Sequence, residues 1–437
     1  MTSLADLLTP GDEIAVHCGD VAISRTELLA RADQIAATVA PGRAVTVSLR
    51  NGIELVATLF GVWRAGAVYV PVNPRLTATE VERITRHIDG QFEPDIALIQ
   101  FTSGTSGTPK PVLLRHSGVL TLLDNVIGSL RANPSGGAPM PNLVPVSLSL
   151  WAGIYQVLFA FRVGAPVVLM DGFATQEFAR LVRAHEIRST VLPPAAMTML
   201  CDDDAVVDLA PLKYVRSITA PLSPLQAHRF HDKFGVTILN SYGQTEIGGE
   251  IVGWSAADAK EFGAAKLGAA GRPHTDVRVR VGDDGELQVR TPALSAGYAD
   301  GNDLSDRLTA DGWFRTGDVG RVDDDGFVWI EGRVSDMINR GGLKVYPAEV
   351  EEALMTAPSV RDVAVVGVPD DRLGEVPWAF VVPAHGAVDE SALQAWCRER
   401  VSPYKVPVRV VEVGELPRNE VGKVLKRSLL AEHAASE

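Results

Sequence analysis

Cysteine is scarce in this sequence. Only three of the 437 residues are cysteine, at positions 18, 201 and 397, and they are far apart in the chain. An odd number of widely spaced cysteines predicts neither a disulfide framework nor a thiolate metal site.

An excess of basic residues is also missing. Lysine and arginine together number 41 against 54 aspartates and glutamates, which gives a formal net charge of −13. Proteins that bind nucleic acid usually carry a basic surface, so we expect no nucleic-acid partner. A few local cations can still bind a small anionic ligand inside an acidic protein.

Long hydrophobic runs are absent as well. No stretch approaches the roughly 20 apolar residues of a membrane-spanning helix, and the N-terminal "MTSLADLLTP" lacks the basic start and apolar core of a signal peptide. The hydrophobic fraction of 46% and the charged fraction of 22% are ordinary for a globular protein. These features predict a cytoplasmic protein with no membrane span.

The first half of the chain alternates between helical and strand patterns. Capping boxes, Ser24 with Glu27 and Thr77 with Glu80, mark the starts of two helices. Short β-branched runs such as 44–49, 96–101 and 236–242 alternate with helical segments such as 53–66, 175–185 and 224–233. This alternation predicts an α/β fold with largely parallel sheets covered by helices, whose ligands gather at the carboxyl ends of the strands.

The pattern changes twice further along the chain. From about residue 272 the sequence predicts antiparallel hairpins, and beyond residues 333–336 it predicts a small α+β module of roughly 100 residues. A chain of this length is expected to form two to three domains. We therefore predict a large N-terminal domain over residues 1–333, which includes a small β-rich subdomain, and a mobile C-terminal domain over 334–437.

The segment "FTSGTSGTPK" (101–110) follows a predicted strand and ends in a lysine. Ser, Thr and Gly offer backbone N–H and hydroxyl donors without steric obstruction, and the lysine adds a charge suited to phosphate. The same composition is also compatible with a flexible surface turn.

Four further polar segments allow two interpretations each. Glu246 in "SYGQTE" is either a Mg²⁺ ligand beside a phosphate loop or a first-turn helix carboxylate. Asp318 in "WFRTGD" either accepts hydrogen bonds from a vicinal diol or is a turn residue. Arg333 lies in "EGRVSD", and Lys423 in "RNEVGKVLKRSL" is either functional or the exposed start of a basic helix.

Taken together and in this order, these segments resemble the adenylate-forming superfamily of acyl- and aryl-CoA ligases, amino-acid adenylation domains and luciferase. The resemblance covers essentially the whole chain, through "FTSGTSGTPKPV", "TAPLS", "SYGQTE", "GELQVRTPALSAGY", "WFRTGDVG", "GRVSDMINRGGLKVYPAEVE" and "PRNEVGKVLKR". It implies that a carboxylic acid reacts with MgATP to give an acyl-adenylate and pyrophosphate, and that CoA then takes the acyl group.

The resemblance also implies roles for individual residues. The nucleotide-binding set comprises Thr102, Ser103, Thr105 and Lys110 for the β- and γ-phosphates, Tyr242 and Ala220 near the adenine, and Asp318 and Arg333 for the ribose. The catalytic set comprises Thr245 at the α-phosphate, Glu246 as the metal ligand, and Lys423 for the charge that develops during adenylation. Ser335 is the hinge about which the C-terminal domain would rotate between the two half-reactions.

The acyl pocket is expected to lie near Trp151, Tyr155, Ser241, Gly243, Gly248 and Gly249. Because glycines 248 and 249 stand where relatives often hold larger side chains, we expect extra volume there and a bulky or cyclic acid. The alternative is that these glycines only permit a backbone bend.

The sequence departs from the family pattern at several places. Pro111 replaces the glycine that usually follows the loop lysine, and Ser335 replaces the usual Asp or Lys. The segment 144–156 has neither the pocket histidine of many acyl-CoA ligases nor the aspartate that holds the amine of an amino acid, so an amino-acid substrate is not expected. The short connection between helix 78–88 and strand 96–101 predicts a trimmed N-terminal subdomain.

Two other functions stay open from the sequence. The first is adenylation followed by transfer to a carrier-protein phosphopantetheine or to an amine, since the sequence barely separates these acceptors from CoA. The second is a catalytically silent nucleotide-binding protein. What argues against it is the joint presence of Lys110, Glu246, Asp318 and Lys423.

Overall fold

The computed structural model describes residues 3–88, 90–102, 109–130, 139–220, 222, 224–263, 265–418, 424–426 and 428–430. No helix within these ranges is both long enough and apolar enough to cross a bilayer.

The first half of the chain forms three helix-covered sheets. Its strands are β1 (Ile14–Cys18), β2 (Val21–Ser24), β3 (Ala44–Val47), β4 (Val68–Pro71), β5 (Ile96–Thr102), β6 (Lys110–Arg115), β7 (Asn142–Val144), β8 (Val167–Leu169), β9 (Ser189–Leu192), β10 (Tyr214–Ser217) and β11 (Thr237–Leu239). Its helices are α1 (Arg25–Ala36), α2 (Ile53–Arg64), α3 (Ala78–Thr85), α4 (His116–Leu130), α5 (Trp151–Val163), α6 (Thr175–Ala184), α7 (Pro194–Asp202) and α8 (Pro224–Phe234).

The second half is richer in strands. They are β12 (Ser241–Gln244), β13 (Gly249–Gly253), β14 (Arg272–Pro273), β15 (Arg278–Val281), β16 (Glu286–Arg290), β17 (Phe314–Val322), β18 (Val328–Arg333), β19 (Ile338–Arg340), β20 (Leu343–Val345), β21 (Val360–Asp370), β22 (Gly374–Pro383) and β23 (Arg409–Glu412). The helices are α9 (Ala256–Phe262), α10 (Pro347–Met355) and α11 (Glu390–Arg398).

Local sequence signals explain where several helices begin. Ser24 and Thr77 accept hydrogen bonds from the backbone N–H groups of Glu27 and Glu80, and those glutamates bond back to the cap residues. These reciprocal bonds satisfy N–H groups that have no partner inside the helix. The two predicted capping boxes are thus confirmed, although α3 ends at Thr85, before the predicted position.

The sheets of the first half are mostly but not entirely parallel. β3, β4 and β5 run parallel, and so do β9, β10 and β11, whereas β6 returns antiparallel to β5 and β2 antiparallel to β1. β8 lies between β1 and β7 and is parallel to both. The predicted α/β architecture is confirmed, with antiparallel edge strands added to it.

One predicted strand is divided in two. Residues 236–242 were expected to form a single strand, but β11 ends at Leu239 and β12 starts at Ser241. Between them the Asn240 side chain accepts a hydrogen bond from the Ser241 N–H (3.1 Å), which replaces a ladder bond. β12 then pairs antiparallel with β13 instead of continuing the parallel sheet.

The remaining strands form two further groups. β15 to β18 make an antiparallel sheet in chain order, as the hairpin pattern predicts. β19 to β22 form the order β20-β19-β22-β21, and β23 runs parallel to β22 on the edge opposite β21. This last sheet draws only on residues 338–412, which is the α+β module predicted for the C-terminal part of the chain.

Separate apolar clusters hold these units together. Phe60 lies in the cluster that packs against the sheet of β1 and β8 and the sheet of β3 to β6. Phe178 lies in the cluster under β9–β11, and Phe380 lies in a cluster of the C-terminal sheet. All three side chains are fully buried. Burial of apolar surface on this scale is the main stabilising contribution to such units.

Candidate active site

The Ser/Thr/Gly segment connects two paired strands. Thr102 ends β5 and Lys110 starts β6, and these two residues are register partners across the antiparallel pair. Residues 103–108, which include the predicted phosphate-binding Ser103 and Thr105, lie outside the described residues. The two ends of the segment are therefore fixed side by side at the edge of a sheet.

Lys110 lies against an aromatic ring that the sequence analysis did not single out. Its Nζ is 5.4 Å from the centroid of the Tyr298 ring, and Tyr298 forms a bridge with Val112 of β6. Within the described ranges, Lys110 has no ion-pair partner. Its charge is thus held by a cation–π contact and stays available to an anion.

Glu246 is near enough to Tyr298 for its charge to act on the phenol. It belongs to a single 3₁₀ turn, Thr245–Ile247, and its backbone carbonyl accepts a hydrogen bond from Ser295 N (2.8 Å). Burial, and secondarily the charge of Glu246, raise the pKa of the Tyr298 phenol. Lys110 and Glu246 therefore both interact with one tyrosine, the lysine through the ring and the glutamate through its charge.

The carboxylate of Glu246 suits Mg²⁺ bound together with phosphates. In the described part of the chain this carboxylate has no hydrogen-bond or ion-pair partner, and the described residues contain no group of three or more His, Cys, Asp or Glu placed for a metal. Mg²⁺ commonly takes one or two carboxylates and completes its shell with water and phosphate oxygens. The donor set thus fits a metal that arrives with its nucleotide.

Asp318 is the meeting point of three segments. Its Oδ2 accepts hydrogen bonds from Tyr242 Oη (2.7 Å) and Gln244 Nε2 (2.6 Å), and its Oδ1 is 3.0 Å from Arg333 Nε. The Asp318 side chain is only 5% exposed. Since an ionised carboxylate offers about four acceptor positions, these three donors leave room for a ligand hydroxyl.

The strand arrangement explains why these residues meet. Asp318 and Arg333 are register partners in β17 and β18. Tyr242 and Gln244 are two residues apart on β12, so their side chains leave the same face of the strand. Gln244 also donates to the Thr316 carbonyl (2.8 Å), which ties β12 to β17.

The predicted adenine-side residues lie at the end of β10. Thr219 has φ of +70°, which is rare for a β-branched residue, and Ala220 follows it half-buried. Such backbone conformations occur preferentially where a loop contacts a ligand. Pro221, the third residue of the predicted segment, is outside the described residues.

The predicted acyl-pocket aromatics are neighbours on α5. Trp151 and Tyr155 have ring centroids 5.8 Å apart in an edge-to-face arrangement. The Trp151 Nε1–H donates to the Gly248 carbonyl (2.9 Å), so α5 is joined directly to the segment between β12 and β13. Ser241 donates its hydroxyl to the Ser217 carbonyl (2.7 Å).

The expectation of free volume at glycines 248 and 249 was wrong. A Cβ on Gly248 would lie 2.6 Å from the Ala293 Cβ and 2.8 Å from its carbonyl oxygen, and one on Gly249 would lie 2.7 Å from Trp151 Nε1. Both residues also have positive φ, +87° and +128°. Glycine is required here for close approach and backbone conformation, which is the alternative that the sequence left open.

Glycine is required at position 243 for a similar reason. A Cβ at this position would lie 1.8 Å from the Gly249 carbonyl oxygen, at a point where the β12–β13 register is irregular. This glycine therefore allows the two strands to close over one another next to Thr245 and Glu246.

The predicted hinge and the predicted catalytic lysine belong to the C-terminal part of the chain. Ser335 is exposed in a 3₁₀ turn, Val334–Asp336, between β18 and β19, and its hydroxyl donates to Asp336 Oδ1 (3.0 Å). Lys423 lies outside the described residues. On either side of it, Arg418 and Val424 form an antiparallel bridge.

Sequence reasoning missed several members of this site. Gln244 was passed over although its i,i+2 spacing from Tyr242 could have placed both side chains on one face. Tyr298 has no local signal, because its contact with Lys110 arises only from pairing with β6. The buried trio Arg216, Glu250 and His274 was missed for the same reason, since its members are far apart in sequence.

The chain matches the family described as "AMP-binding enzyme" over residues 7–92 and 91–299, and the "AMP-binding enzyme C-terminal domain" over residues 349–423. The first two stretches meet at residues 91–92, inside the short connection where the sequence predicts trimming.

Individual relatives cover most of the chain. A 2-succinylbenzoate–CoA ligase of Geobacillus kaustophilus is 30% identical over 90% of this chain and 88% of its own length. A feruloyl-CoA synthase of an Amycolatopsis species is 31% identical over 94% of both chains. Among solved structures, the amide bond synthetase McbA of Marinactinospora thermotolerans is 26% identical, with a TM-score of 0.87 and 98% of each chain covered.

Proposed function

Because this chain belongs to the family of AMP-binding enzymes, we propose that the residues around Asp318, Glu246 and Lys110 bind MgATP and activate an aryl or other ring-bearing carboxylic acid. The observation that carries the proposal is the convergence of Tyr242, Gln244 and Arg333 on the buried Asp318 carboxylate. The 3₁₀ turn with Thr245 and Glu246 follows this cluster directly.

The activity predicted from the sequence is confirmed. The enzyme is an AMP-forming acid–CoA ligase that uses ATP, Mg²⁺ and CoA. What remains a proposal is the part that each residue has in the reaction and the kind of acid that is activated.

In the proposed first half-reaction, a carboxylate oxygen of the acid attacks the α-phosphorus of ATP. The bond from that phosphorus to the bridging oxygen breaks, and pyrophosphate leaves. Thr102, Ser103 and Thr105 would donate hydrogen bonds to the β- and γ-phosphates, and Lys110 would neutralise part of their charge. Glu246 would hold the Mg²⁺, which would supply further neutralisation. Such transfers depend mainly on positioning and charge neutralisation.

The nucleoside end is held by the Asp318 cluster. The ribose hydroxyls donate to Asp318, whose orientation is fixed by Tyr242, Gln244 and Arg333. The ring of Tyr242 and the backbone at Ala220 border the adenine. Thr245 bonds to the α-phosphate, and Lys423 stabilises the negative charge that develops there.

In the second half-reaction, the CoA thiolate attacks the acyl carbon of the acyl-adenylate and AMP leaves. We propose that the C-terminal domain, residues 334–437, rotates about Ser335 between the steps and withdraws Lys423. The β19–β20 hairpin then approaches the site. Its turn contains Gly341 and Gly342 with φ of +61° and +89°, which suits a tight hairpin.

The proposed acid is aromatic or cyclic. The support is the edge-to-face pair of Trp151 and Tyr155 beside the β12–β13 segment, since an aromatic ring packs favourably against such a pair. The two curated relatives described above are named for aryl acids, 2-succinylbenzoate and ferulate. The glycines at 248 and 249 no longer contribute to this argument.

Two alternative acceptors remain proposals of lower rank. The similarity to an amide bond synthetase favours an amine as a second candidate acceptor. A carrier-protein phosphopantetheine presents the same thiol chemistry as CoA.

We also place the enzyme in the cytoplasm, because its three cysteines are all free and the reaction consumes ATP and CoA.

The test is acid-dependent AMP release from MgATP across aliphatic, aryl and polycyclic acids, with CoA, a pantetheine-loaded carrier protein or a primary amine as acceptor. We expect catalytic turnover with aryl acids only when CoA is present. Turnover with an amine or carrier protein while CoA is inactive would overturn the proposed acceptor. Turnover restricted to aliphatic acids would overturn the proposed acid class.

A further inference from the structure

A buried charged cluster lies beside the predicted acyl pocket. Arg216 on β10 bonds to Glu250 on β13 (Nη1 to Oε1, 2.7 Å), and His274 Nε2 lies 2.9 Å from the same Oε1. The side chains of Arg216, Glu250 and His274 are 11%, 11% and 6% exposed. Charged groups are rarely buried to this degree unless they are paired or functional.

The backbone is shaped to admit this cluster. A Cβ on Gly253 would lie 2.6 Å from both Arg216 Nη1 and Glu250 Oε1, so a larger residue there would have to displace the ion pair. Arg216 also donates through Nη2 to the Trp254 carbonyl (3.0 Å). The guanidinium of Arg216 is thus hydrogen-bonded both to the Glu250 carboxylate and to the backbone carbonyl that follows β13.

The cluster keeps Glu250 ionised. Burial by itself would raise the pKa of Glu250, but Arg216 and the hydrogen bond from His274 more than offset this, and the pKa is lowered. One carboxylate and one guanidinium therefore face each other, and neither charge is left for a charged ligand.

The hydroxyl of Tyr155 is within electrostatic range of Glu250 and Arg216. It is buried, and none of the described residues forms a hydrogen bond with it. Tyr155 neighbours Trp151, whose indole donates to Gly248, and Glu250 lies two residues farther along the same segment. Burial and then the charge of Glu250 raise the pKa of Tyr155 well above its ordinary value, so the phenol stays protonated and can donate.

We propose that the Tyr155 hydroxyl, backed by the Arg216–Glu250–His274 cluster, binds a neutral polar substituent, a hydroxyl or carbonyl oxygen, on the acyl group. This inference rests on the proposed ligase site and on the placement of Tyr155 in the acyl pocket. An acid without the substituent leaves the buried hydroxyl unpaired and is therefore selected against. A second carboxylate on the acid is disfavoured, because its burial costs desolvation and Arg216 is already paired with Glu250.

The test compares matched acids in the purified enzyme with MgATP and CoA. The pairs are benzoate with 4-hydroxybenzoate and cinnamate with 4-hydroxycinnamate, and 4-carboxycinnamate serves as the charged analogue. In at least one pair, we expect kcat/KM for the hydroxy acid to exceed that of its parent by about tenfold or more. The 4-carboxy acid is expected to be the poorest of the cinnamates.

The Tyr155→Phe variant removes only the hydroxyl. We expect the preference for the hydroxy acid to fall to about twofold or less, mainly through a lower kcat/KM for that acid. The Tyr298→Phe variant is the matched control, because it removes another buried hydroxyl without a partner among the described residues, on the phosphate side. It should change the rates of both acids by the same factor.

The outcomes separate this inference from the function on which it rests. An unchanged hydroxy-acid preference in Tyr155→Phe for every pair, or a wild-type preference for 4-carboxycinnamate, would overturn the inference alone. No acid-dependent AMP release with any substrate class would contradict the ligase site itself. If Tyr155→Phe turns over too slowly, the same ratio can be read from the affinities of the corresponding acyl-sulfamoyl-adenosine analogues.

Discussion

At the residue scale, the side chain of Asp318 shows how separate segments become one site. One carboxylate oxygen accepts hydrogen bonds from Tyr242 and Gln244 of β12, and the other pairs with Arg333 of β18. Motif resemblance could predict Tyr242, Asp318 and Arg333 one at a time. It could not predict the bond between Gln244 and Asp318, which depends on how two distant strands face each other.

The Asp318→Asn variant is expected to lower kcat/KM for ATP by about 100-fold. It removes the charge that pairs with Arg333 and replaces one of the two acceptor oxygens by a donor, and charge-assisted hydrogen bonds are each worth about 1.5–3 kcal/mol. Steady-state kinetics with ATP as the varied substrate measure this effect. The control is Asp311→Asn, which breaks an exposed pair with Arg280 elsewhere and should leave the kinetics near wild type. Equal effects of both variants would contradict the role of Asp318.

The glycine at 248 offers a sharp test of the corrected interpretation. Gly248→Ala and Gly301→Ala place a methyl group at nearly the same φ, +87° and +86°, but only the Gly248 position is packed, against Ala293. The shared backbone strain costs about 1–2 kcal/mol, and the collision at 248 should add about 2 kcal/mol more. Thermal or urea unfolding of both variants measures the difference.

The earlier expectation, that Gly248 leaves volume for the acid, predicts a different result for the same variant. If Gly248 only left space for the acid, Gly248→Ala would shift preference toward smaller acids and lose no more stability than Gly301→Ala. We expect instead a larger loss of stability with a similar rate reduction for all acids.

At the element scale, the local signals were the most predictable part of the fold. The capping boxes at Ser24 and Thr77 start helices because their hydrogen bonds involve only neighbouring residues. The break between β11 and β12 was not predictable, because it depends on β13, which arrives later in the chain and competes for pairing. The contact of Tyr298 with Lys110 was hidden for the same reason.

Two lysines in one segment, Lys423 and Lys426, are expected to affect different properties, the first the reaction rate and the second the stability. Lys423→Ala is expected to slow acyl-adenylate formation by about 100-fold or more, since a lysine placed at developing charge commonly contributes that much. Thioester formation from a supplied acyl-adenylate should stay largely intact. Single-turnover assays of each half-reaction measure the two steps separately.

Lys426→Ala is the matched control in the same segment. Lys426 forms a partly buried ion pair with Glu351 (2.7 Å), so its loss should cost up to about 1 kcal/mol of unfolding free energy and leave both half-reactions near wild type. If Lys423→Ala slowed both half-reactions equally, the role assigned to Lys423 would be wrong.

At the scale of the whole molecule, the proposed mechanism needs two arrangements of the same chain. The C-terminal sheet is joined to the rest through the short 3₁₀ turn Val334–Asp336. Hinges of this kind are a few residues that absorb a large change in φ and ψ. The sequence predicted this position from resemblance, and the boundary at 333–334 remains a prediction.

Ser335→Pro is expected to separate the two half-reactions. Proline fixes φ near −65°, a value that a 3₁₀ turn accepts, so the present conformation should be retained and rotation at this residue blocked. One half-reaction should stay within about threefold of wild type while the other falls at least tenfold. Ser335→Ala removes only the hydrogen bond to Asp336 and should support both. Two unimpaired half-reactions in Ser335→Pro would exclude Ser335 as the hinge.

The most direct test of the central claim follows an oxygen atom. An aryl acid labelled with ¹⁸O in both carboxylate oxygens is turned over with MgATP and CoA, and the products are analysed by mass spectrometry. If the carboxylate attacks the α-phosphorus and CoA then displaces AMP, each AMP carries one ¹⁸O and pyrophosphate carries none. Unlabelled AMP, or label in phosphate together with ADP, would contradict an acyl-adenylate and with it the site assembled around Asp318, Glu246 and Lys110.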